Sequence, residues 1–392
     1  MTNLTAIDAS LRQACDAGAI PGAVAMATTG AEVIYQGAFG RRDLTRAEAM
    51  TADSVFWLAS MTKAITTAAA LQLVERGRLT LDGPLGHLVP ELAAPQVLQG
   101  FAADGAPRLR PAKSAPTLRQ LLTHTAGYCY DMWNGAMLRY LQATGTPKTS
   151  TCRNAALDVP LMFDPGARWE YGVNIDFVGK VVEAASGQRL GAYLHDNLFA
   201  PLGMRDTAFR IGAAQRQRLV AMHARAADGS LAPMAFEIEQ APEFEMGGGG
   251  LYGTAADYLA FARMILNKGT ANGHRILRPE TVAMMGESQI GDLAVTAMTS
   301  AVAAASNDVE LCPGVAKTWG FGFLINTERT PEGRSPGSLA WAGLGNTYYW
   351  IDPSRDIAGV VLMQVLPFGD ANCLDAFARF ERRIYASLRQ PA

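Results

Sequence analysis

The stretch Ser60-Met61-Thr62-Lys63 decides how the fold and the chemistry of this sequence are interpreted. An apolar run, residues 54–59, precedes it, and an Ala-rich segment with helical spacing, residues 64–76, follows it. In a helix that begins near Ser60, Lys63 lies one turn further on and on the same face. A hydroxyl is a weak nucleophile until a nearby base takes its proton. The four residues therefore predict an activated serine beside an amine.

The alternative is a serine and a lysine that meet by chance on a surface helix. Only one of the six lysines has a serine three residues before it. The context favours a functional pair, because an Ala-rich helix after an apolar run has little reason to bury an amine that is not used. A helix N-terminus also supplies N–H donors and a positive dipole end, which favour a developing oxyanion.

The composition limits the classes of function. The chain has 392 residues, 49% of them hydrophobic, which is enough for a large core in one or two domains. Its net charge of −2 provides no attraction to nucleic acid or to an anionic membrane. We therefore expect a small molecule as the partner, with neither nucleic acid nor membrane, and the sequence predicts no oligomeric state.

The N-terminal residues and the cysteines favour a cytoplasmic protein. Residues 1–8 lack the basic and apolar regions of a secretory signal, and no apolar run approaches a membrane span. Five widely spaced cysteines without a C-x-x-C pair indicate reduced thiols, although a Cys129–Cys152 bridge stays open for an exported protein. The five histidines have no metal-ligand spacing, so we expect no metal and no other cofactor.

The order of predicted elements indicates an α+β fold. Strands are predicted at 22–29, 31–39, 318–327, 338–344, 347–352 and 357–365, and helices after Ser60, at 118–122, 176–185, 256–267 and about 372–388. This order predicts an antiparallel sheet domain flanked by helices and built from residues 1–79 and 246–392. A mostly helical domain, residues 80–245, is inserted, and the cleft between the two is a favoured place for the site.

Two further segments could complete the chemistry of Ser60. Tyr171 precedes a predicted helix, and it could act as a general base if an adjacent ammonium lowered its pKa. Trp341-Ala342-Gly343-Leu344 lies in a predicted C-terminal strand, where small residues allow a close approach of backbones and N–H groups could complete an oxyanion hole. Each segment alone is also compatible with a purely structural role.

Together these segments resemble the serine β-lactamase and penicillin-binding superfamily, and within it the class C β-lactamase-like carboxylesterases called family VIII. The resemblance covers most of the chain and keeps the motif order. It rests on the Ser-x-x-Lys motif and on four further segments, which are Leu121-Leu122-Thr123-His124-Thr125-Ala126-Gly127, the region from Phe163 to Tyr171, the region from Gly247 to Asp257, and Trp341-Ala342-Gly343.

The resemblance implies a β-lactamase-like fold and a role for each matching residue. Ser60 would be the acylated nucleophile, and Lys63 and Tyr171 would act together as general base and general acid. The backbone N–H groups of Ser60 and Leu344 would form the oxyanion hole. Trp341 and Gly343, in the third motif, would contact the substrate.

Two departures from the family pattern favour neutral esters over β-lactams or peptides. Relatives that act on β-lactams or peptides usually carry Tyr-x-Asn, whereas position 173 is Val and Asn174 comes one residue late. Trp341 occupies the place of the lysine that receives the antibiotic carboxylate. The resemblance thus implies a serine carboxylesterase for small, neutral, short-acyl esters.

Several alternatives remain open. The same residues could serve a β-lactamase, a D-amino-peptide or amide hydrolase, or an acyltransferase, and a non-catalytic ligand-binding homologue is also possible. An aromatic, methionine-bearing cluster of Tyr128, Tyr130, Met132 and Trp133 could line an apolar substrate pocket or belong to an ordinary core. Gly333-Arg334-Ser335-Pro336-Gly337 fits G-x-S-x-G, but Pro336 cannot donate the N–H that follows the nucleophile in that motif.

Overall fold

The computed structural model describes residues 4–388. Its strands are, in chain order, β1 (Gly22–Thr28), β2 (Val33–Gly40), β3 (Phe56–Trp57), β4 (Gln96–Phe101), β5 (Pro107–Pro111), β6 (Met222–Arg225), β7 (Leu231–Met234), β8 (Tyr252–Gly253), β9 (Thr270–Ala271), β10 (His274–Arg275), β11 (Lys317–Trp319), β12 (Leu324–Asn326), β13 (Ser338–Gly343), β14 (Thr347–Asp352), β15 (Ile357–Leu362) and β16 (Val365–Leu366).

The α-helices are α1 (Leu4–Asp16), α2 (Thr62–Glu75), α3 (Leu118–Leu122), α4 (Gly135–Thr144), α5 (Asn174–Ser186), α6 (Leu190–Leu194), α7 (Ala200–Leu202), α8 (Ala213–Arg216), α9 (Ala255–Leu266), α10 (Pro279–Met285) and α11 (Ala371–Ser387). Short 3-10 turns connect several of them, and a π-helical turn, His195–Phe199, joins α6 to α7.

Seven strands from the two ends of the chain form one antiparallel sheet, in the order β11-β12-β13-β14-β15-β1-β2. The predicted α+β arrangement of strands and helices is confirmed. One predicted strand, 318–327, is wrong in extent, because a tight turn divides it into β11 and β12. Gly320 N–H donates to Phe323 O across this turn, and Gly322 has a φ of +81°, which a glycine adopts without strain.

Helices cover both faces of the sheet. Side chains alternate between faces along β14, so Tyr348 stacks on Phe377 of α11, whereas the neighbouring Tyr349 packs on Tyr258 of α9. The segment 80–245 contains the helices α3 to α8 and also two β-hairpins, β4-β5 and β6-β7, and β6 pairs in parallel with β16 near the C-terminus. The sequence did not predict these hairpins, since their strands lack a clear alternation of apolar and polar residues.

Helix α2 lies in the interior and packs on α5. Every residue from Thr62 to Leu73 is buried, which agrees with a helix that is apolar or small on all sides. The alanines at 68–70 allow neighbouring elements to approach closely. A buried helix fixes the position of its first turn, and Ser60 lies immediately before that turn.

The helices and the cysteines of the described range bear on two expectations from the sequence. None of these helices is long and apolar enough to cross a bilayer. All five cysteines are unpaired, so the Cys129–Cys152 bridge is not formed.

Candidate active site

Ser60 lies in a 3-10 turn, Ala59–Met61, that leads directly into α2. Sequence spacing predicted the helix start near Ser60, and the structure places it two residues later. Ala59 has a φ of +48°, a left-handed conformation that is rare for a residue with a Cβ and that is concentrated at functional sites. Ser60 is half-buried and lines the cavity described below, so its hydroxyl can be reached by a ligand.

Lys63 is almost completely buried, with 1% of its surface exposed. Its Nζ lies 3.2 Å from Ser60 Oγ, 3.0 Å from the Tyr130 hydroxyl and 2.6 Å from the Gly248 carbonyl oxygen. Burial lowers the pKa of Lys63 below that of an ordinary lysine, and the Asp176 carboxylate partly offsets this effect. A neutral amine is therefore accessible near neutral pH, and it can accept the Ser60 proton.

Tyr171 is buried against both Lys63 and Ser60. Lys63 Nζ lies 4.7 Å from the Tyr171 ring centroid, and Ser60 is among the neighbours that act on the pKa of the Tyr171 hydroxyl. Burial raises the pKa of Tyr171, and hydrogen bonds with Ser60 and Trp341 offset this only in part. This direction is opposite to the lowered pKa that would make Tyr171 a base. A neutral phenol at this place suits a proton donor, whereas Lys63 suits the base.

The end of β13 packs against the Ser60 turn. A Cβ added to Gly343 would collide with the Leu58 carbonyl and the Thr347 hydroxyl, and it would lie 3.1 Å from Ala59 Cβ. Only a glycine permits this approach of the two backbones. Leu344 follows directly and lines the same cavity as Ser60, so the two residues of the expected oxyanion hole are brought together.

Gly343→Ala should lower the free energy of unfolding by about 1–3 kcal/mol, because the added methyl must displace the Leu58 carbonyl and the Thr347 hydroxyl. It should also slow acylation of Ser60. Urea unfolding and ester turnover measure the two effects. Gly135→Ala is the matched control, since Gly135 begins α4 and a methyl group added there would meet no other atom within 4 Å. Equal stability of the two variants would contradict the close approach.

Trp341 is turned towards Tyr171. Its indole Nε1–H donates to the Tyr171 hydroxyl at 3.0 Å, and the two ring centroids are 4.8 Å apart. Trp341 does not line the cavity that Ser60 faces. Trp341 therefore contacts Tyr171, the expected general acid, and lies outside the cavity in which a substrate is expected.

A cavity of about 320 Å³ opens beside Ser60. Its apolar walls include Trp57, Met132, Trp133, Phe236 and Met246. Trp133 thus lies where the sequence placed a pocket residue. Tyr128 does not line this cavity, because its ring is buried and stacks on Phe177 with the centroids 4.3 Å apart.

Charged groups are scarce in this cavity. Asp131 and Lys148 are the charged side chains of the described lining, and they lie 4.0 Å apart. The cavity consequently offers an apolar ligand extensive contact, and Lys148, which is largely exposed beside Asp131, is the one cation of its described lining. Among residues 4–388, no group of three His, Cys, Asp or Glu side chains could hold a metal ion.

His124 and Asn174 form hydrogen bonds that hold the segment carrying Tyr171 in place. Asn174 Nδ2 lies 3.0 Å from His124 Nδ1 and donates to Tyr128 O at 2.9 Å. The Gly172 N–H donates to the same His124 nitrogen at 3.4 Å. Burial holds the pKa of His124 well below its ordinary value, so the imidazole is neutral. Asn174 is therefore used inside the protein, and it does not face the cavity.

Sequence reasoning missed two groups around Lys63. Tyr130 was recognised only as a member of an aromatic cluster, and Asp176 was not assigned any role. Both are buried, and their oxygens lie 3.5 Å apart. A signal for Asp176 was present, because it lies within the apolar pattern of α5 where a carboxylate needs a partner.

Comparisons with known proteins agree with this fold. The family model described as Beta-lactamase matches residues 7–383. The monacolin J acid methylbutanoyltransferase of Aspergillus terreus is 33% identical, over 98% of this chain and 96% of the relative. The lovastatin esterase of Penicillium rubens is also 33% identical, over 97% of this chain and 98% of the relative.

A solved structure extends the likeness to the whole architecture. The LovD6 mutant of simvastatin synthase from Aspergillus terreus superposes with a TM-score of 0.87 at 29% identity, covering 100% of this chain and 98% of that chain. Such a match over both chains includes the sheet, the helical segment and the Ser60 turn. The chain therefore belongs to the beta-lactamase family, within the superfamily of β-lactamase-like and penicillin-binding serine hydrolases and related acyltransferases, and it has the β-lactamase-like α+β fold.

Proposed function

We propose that this protein is a serine carboxylesterase of the family VIII type that hydrolyses small, neutral, short-acyl esters through an acyl-enzyme on Ser60. The observation that carries the proposal is the 3.2 Å separation of Lys63 Nζ and Ser60 Oγ at the wall of an apolar cavity. A buried amine of lowered pKa beside a hydroxyl is the arrangement that activates a serine nucleophile.

The reaction follows from the positions of the three side chains. Ser60 Oγ attacks the ester carbonyl while neutral Lys63 accepts its proton. The backbone N–H groups of Ser60 and Leu344 receive the oxyanion. Tyr171 then protonates the departing alkoxide and is reprotonated through Lys63, which leaves an acyl-enzyme and a free alcohol. Water attacks the acyl group by the reverse proton path, which releases the acid and restores Ser60.

The preference for neutral esters rests on the charges of the site. Lys148 is paired with Asp131, so no unpaired cation in the described lining awaits a substrate carboxylate. Lactamases of the superfamily that this chain resembles carry a lysine at the position of Trp341. Here Trp341 donates a neutral N–H to Tyr171. Without a charged anchor, binding depends on apolar contact with the cavity walls.

Acyl transfer to an alcohol is the second candidate function. The observation in its favour is the apolar cavity of about 320 Å³, which could hold an alcohol in place of water beside the acyl-enzyme. A methylbutanoyltransferase and an esterase are about equally similar to this chain. Both candidates share the acylation of Ser60 and differ in the acceptor.

Rapid mixing with p-nitrophenyl butyrate tests the proposal. A burst of nitrophenolate equal to the enzyme concentration, followed by steady turnover, is expected, and mass spectrometry should place a butyryl group on Ser60. A burst without turnover that resumes when an alcohol is added would favour the transferase. No release at all from folded protein would refute both and favour a silent ligand-binding homologue.

Trp133→Ala should change which esters are preferred. Loss of the indole enlarges the cavity, so the ratio of kcat/KM for bulky esters to that for small esters should rise about tenfold. A change of this size corresponds to one or two methylene-sized contacts. The ratio is measured across a series of p-nitrophenyl esters. Tyr128→Leu is the control, because its ring packs on Phe177 outside the cavity. An unchanged ratio in Trp133→Ala would remove Trp133 from the substrate pocket.

A further inference from the structure

We propose that Asp176 is a positioning residue that fixes the Lys63 amine by holding its two other hydrogen-bond partners, the Gly248 peptide and the Tyr130 hydroxyl. Asp176 lies in the first turn of α5, on the far side of these groups from the cavity, and it does not line that cavity. The inference rests on the proposed function, because it concerns the base of that reaction.

Gly248 is held by hydrogen bonds to both of its flanking peptide groups. Its N–H donates to Asp176 Oδ1 at 2.9 Å, and its carbonyl oxygen, in the next peptide group, accepts from Lys63 Nζ at 2.6 Å. A Cβ at Gly248 would lie 2.5 Å from Asp176 Oδ2, so the backbone passes directly against the carboxylate. The carboxylate thereby restrains the position of Gly248, the residue whose carbonyl anchors the amine.

The Tyr130 hydroxyl forms the second connection. It lies 3.0 Å from Lys63 Nζ and 3.5 Å from Asp176 Oδ2. Burial and the Asp176 charge raise the pKa of Tyr130, so the phenol keeps its single proton. When that proton points to Asp176, the phenol oxygen is left to accept from Lys63.

The hydrogen-bond acceptors around Lys63 take its two N–H donors and leave its lone pair free, as a general base requires. A neutral amine has two N–H donors and one lone pair. Gly248 O and the Tyr130 oxygen take the two donors, and the lone pair is then directed at the Ser60 hydroxyl. Asp176 holds both acceptors, so it determines where the lone pair points without contacting substrate.

Asp176 also acts on the charge of Lys63. The titratable groups that face Lys63 or Asp176 are Tyr130, Tyr171, His124 and Cys152. Burial raises the pKa of these phenols and of the thiol and lowers that of the imidazole, so all four are neutral. Asp176 is consequently the negative charge that opposes the desolvation of Lys63, and its removal should lower the Lys63 pKa further.

The test is Asp176→Asn, which keeps the shape of the side chain and removes its charge. Lysines labelled with ¹³C at Cε are titrated by NMR, and six lysines in the chain keep the spectrum simple; Lys63→Met assigns the signal. We expect a lower Lys63 pKa, a kcat at least about tenfold lower with KM little changed, and an acid limb of kcat/KM that moves to lower pH.

Tyr258→Phe is the matched control. The buried Tyr258 hydroxyl donates to Met61 O at 3.1 Å, so this variant loosens the start of the helix that carries Lys63 without touching Asp176, Tyr130 or Gly248. It should lower thermal stability and leave the Lys63 pKa unchanged. If the two variants behave alike, Asp176 is structural and the proposal fails. An unchanged Lys63 pKa and an unchanged kcat in folded Asp176→Asn would also overturn it.

Tyr130→Phe keeps the proposal testable if Asp176→Asn does not fold. It should lower kcat with KM little changed, because the Lys63 amine loses one of its two acceptors, and an unchanged kcat in folded Tyr130→Phe would overturn the proposal. Where Asp176→Asn does fold, the double variant should lose less than the product of the two single losses, since both act through one network. If the loss in kcat of the double variant equalled the product of the two single losses, Asp176 and Tyr130 would act independently, and the network would be contradicted. The NMR titration needs no substrate, so a shifted Lys63 pKa in a protein without ester turnover would refute the proposed function and leave the positioning role supported.

Discussion

Ser60→Ala should abolish the burst of nitrophenolate and lower kcat/KM for p-nitrophenyl butyrate by about four orders of magnitude or more. The loss is that large because, among residues 4–388, Ser60 carries the one serine or threonine hydroxyl within hydrogen-bonding distance of Lys63 Nζ. Fold stability should change little, since Ser60 is half-buried and its hydroxyl faces the cavity. Stopped-flow kinetics and mass spectrometry of the trapped protein provide the measurement.

Ser335→Ala is the matched control for the nucleophile. Ser335 belongs to the G-x-S-x-G sequence, which the structure places in the loop between β12 and β13, with the Ser335 N–H donating to Asp352 at 2.9 Å. It should keep the burst and the turnover of the unaltered protein. If Ser60→Ala retained a full burst while Ser335→Ala lost it, the assignment of the nucleophile would be wrong.

The sequence predicted most regular elements because hydrophobic periodicity is local. The pattern after Gly333 predicted β13, β14 and β15 within three residues of their ends, and the closing helix within one. The turn at Gly320 and Gly322 was missed because aromatic residues on both sides continue the apolar run. Short hairpins such as β6-β7 were missed because their pairing depends on contacts distant in sequence.

The candidate site was predictable to the extent that its parts are motifs. Ser60 and Lys63 lie three residues apart, so helix geometry alone brings them together. The roles of Tyr171 and Trp341 depended on tertiary packing. Strand alternation predicts which face Trp341 occupies, but only the packed structure shows that its N–H is used by Tyr171. The condition under which Tyr171 would act as a base, a pKa lowered by an ammonium, is not met, because complete burial raises the pKa of Tyr171.

The packing of Trp341 against Tyr171 also bears on the proposed chemistry, because it leaves Lys63 without a second lysine beside it. A lysine in place of Trp341 would lower the pKa of Lys63 by repulsion, whereas here desolvation does so and Asp176 limits the fall. The indole N–H orients Tyr171 and adds no charge to the cavity. A neutral pocket and a lowered amine pKa thus arise from one arrangement, and both favour an uncharged ester.

Lys63→Met should lower kcat/KM by about 10³–10⁴-fold, the contribution of a well-placed general base. The unaltered enzyme should lose activity as the pH falls through the Lys63 pKa, because the ammonium has no lone pair for the Ser60 proton. Burial lowers that pKa, so the loss should begin far below the pH at which an ordinary lysine is protonated. The residual activity of Lys63→Met should lack this acid limb. Initial rates across a pH series measure both effects.

Lys113→Met separates the base from a general effect of charge. Lys113 is a surface residue whose ammonium lies 3.7 Å from Asp164, and its loss should leave both the rate and the pH profile unchanged. An acid limb that persists in Lys63→Met would mean that another group accepts the Ser60 proton. Tyr171 would then be the remaining candidate, although a phenol of raised pKa would require activity to increase only at alkaline pH. The pH profile therefore distinguishes the amine from the phenol as the base, which the size of the rate loss alone cannot do.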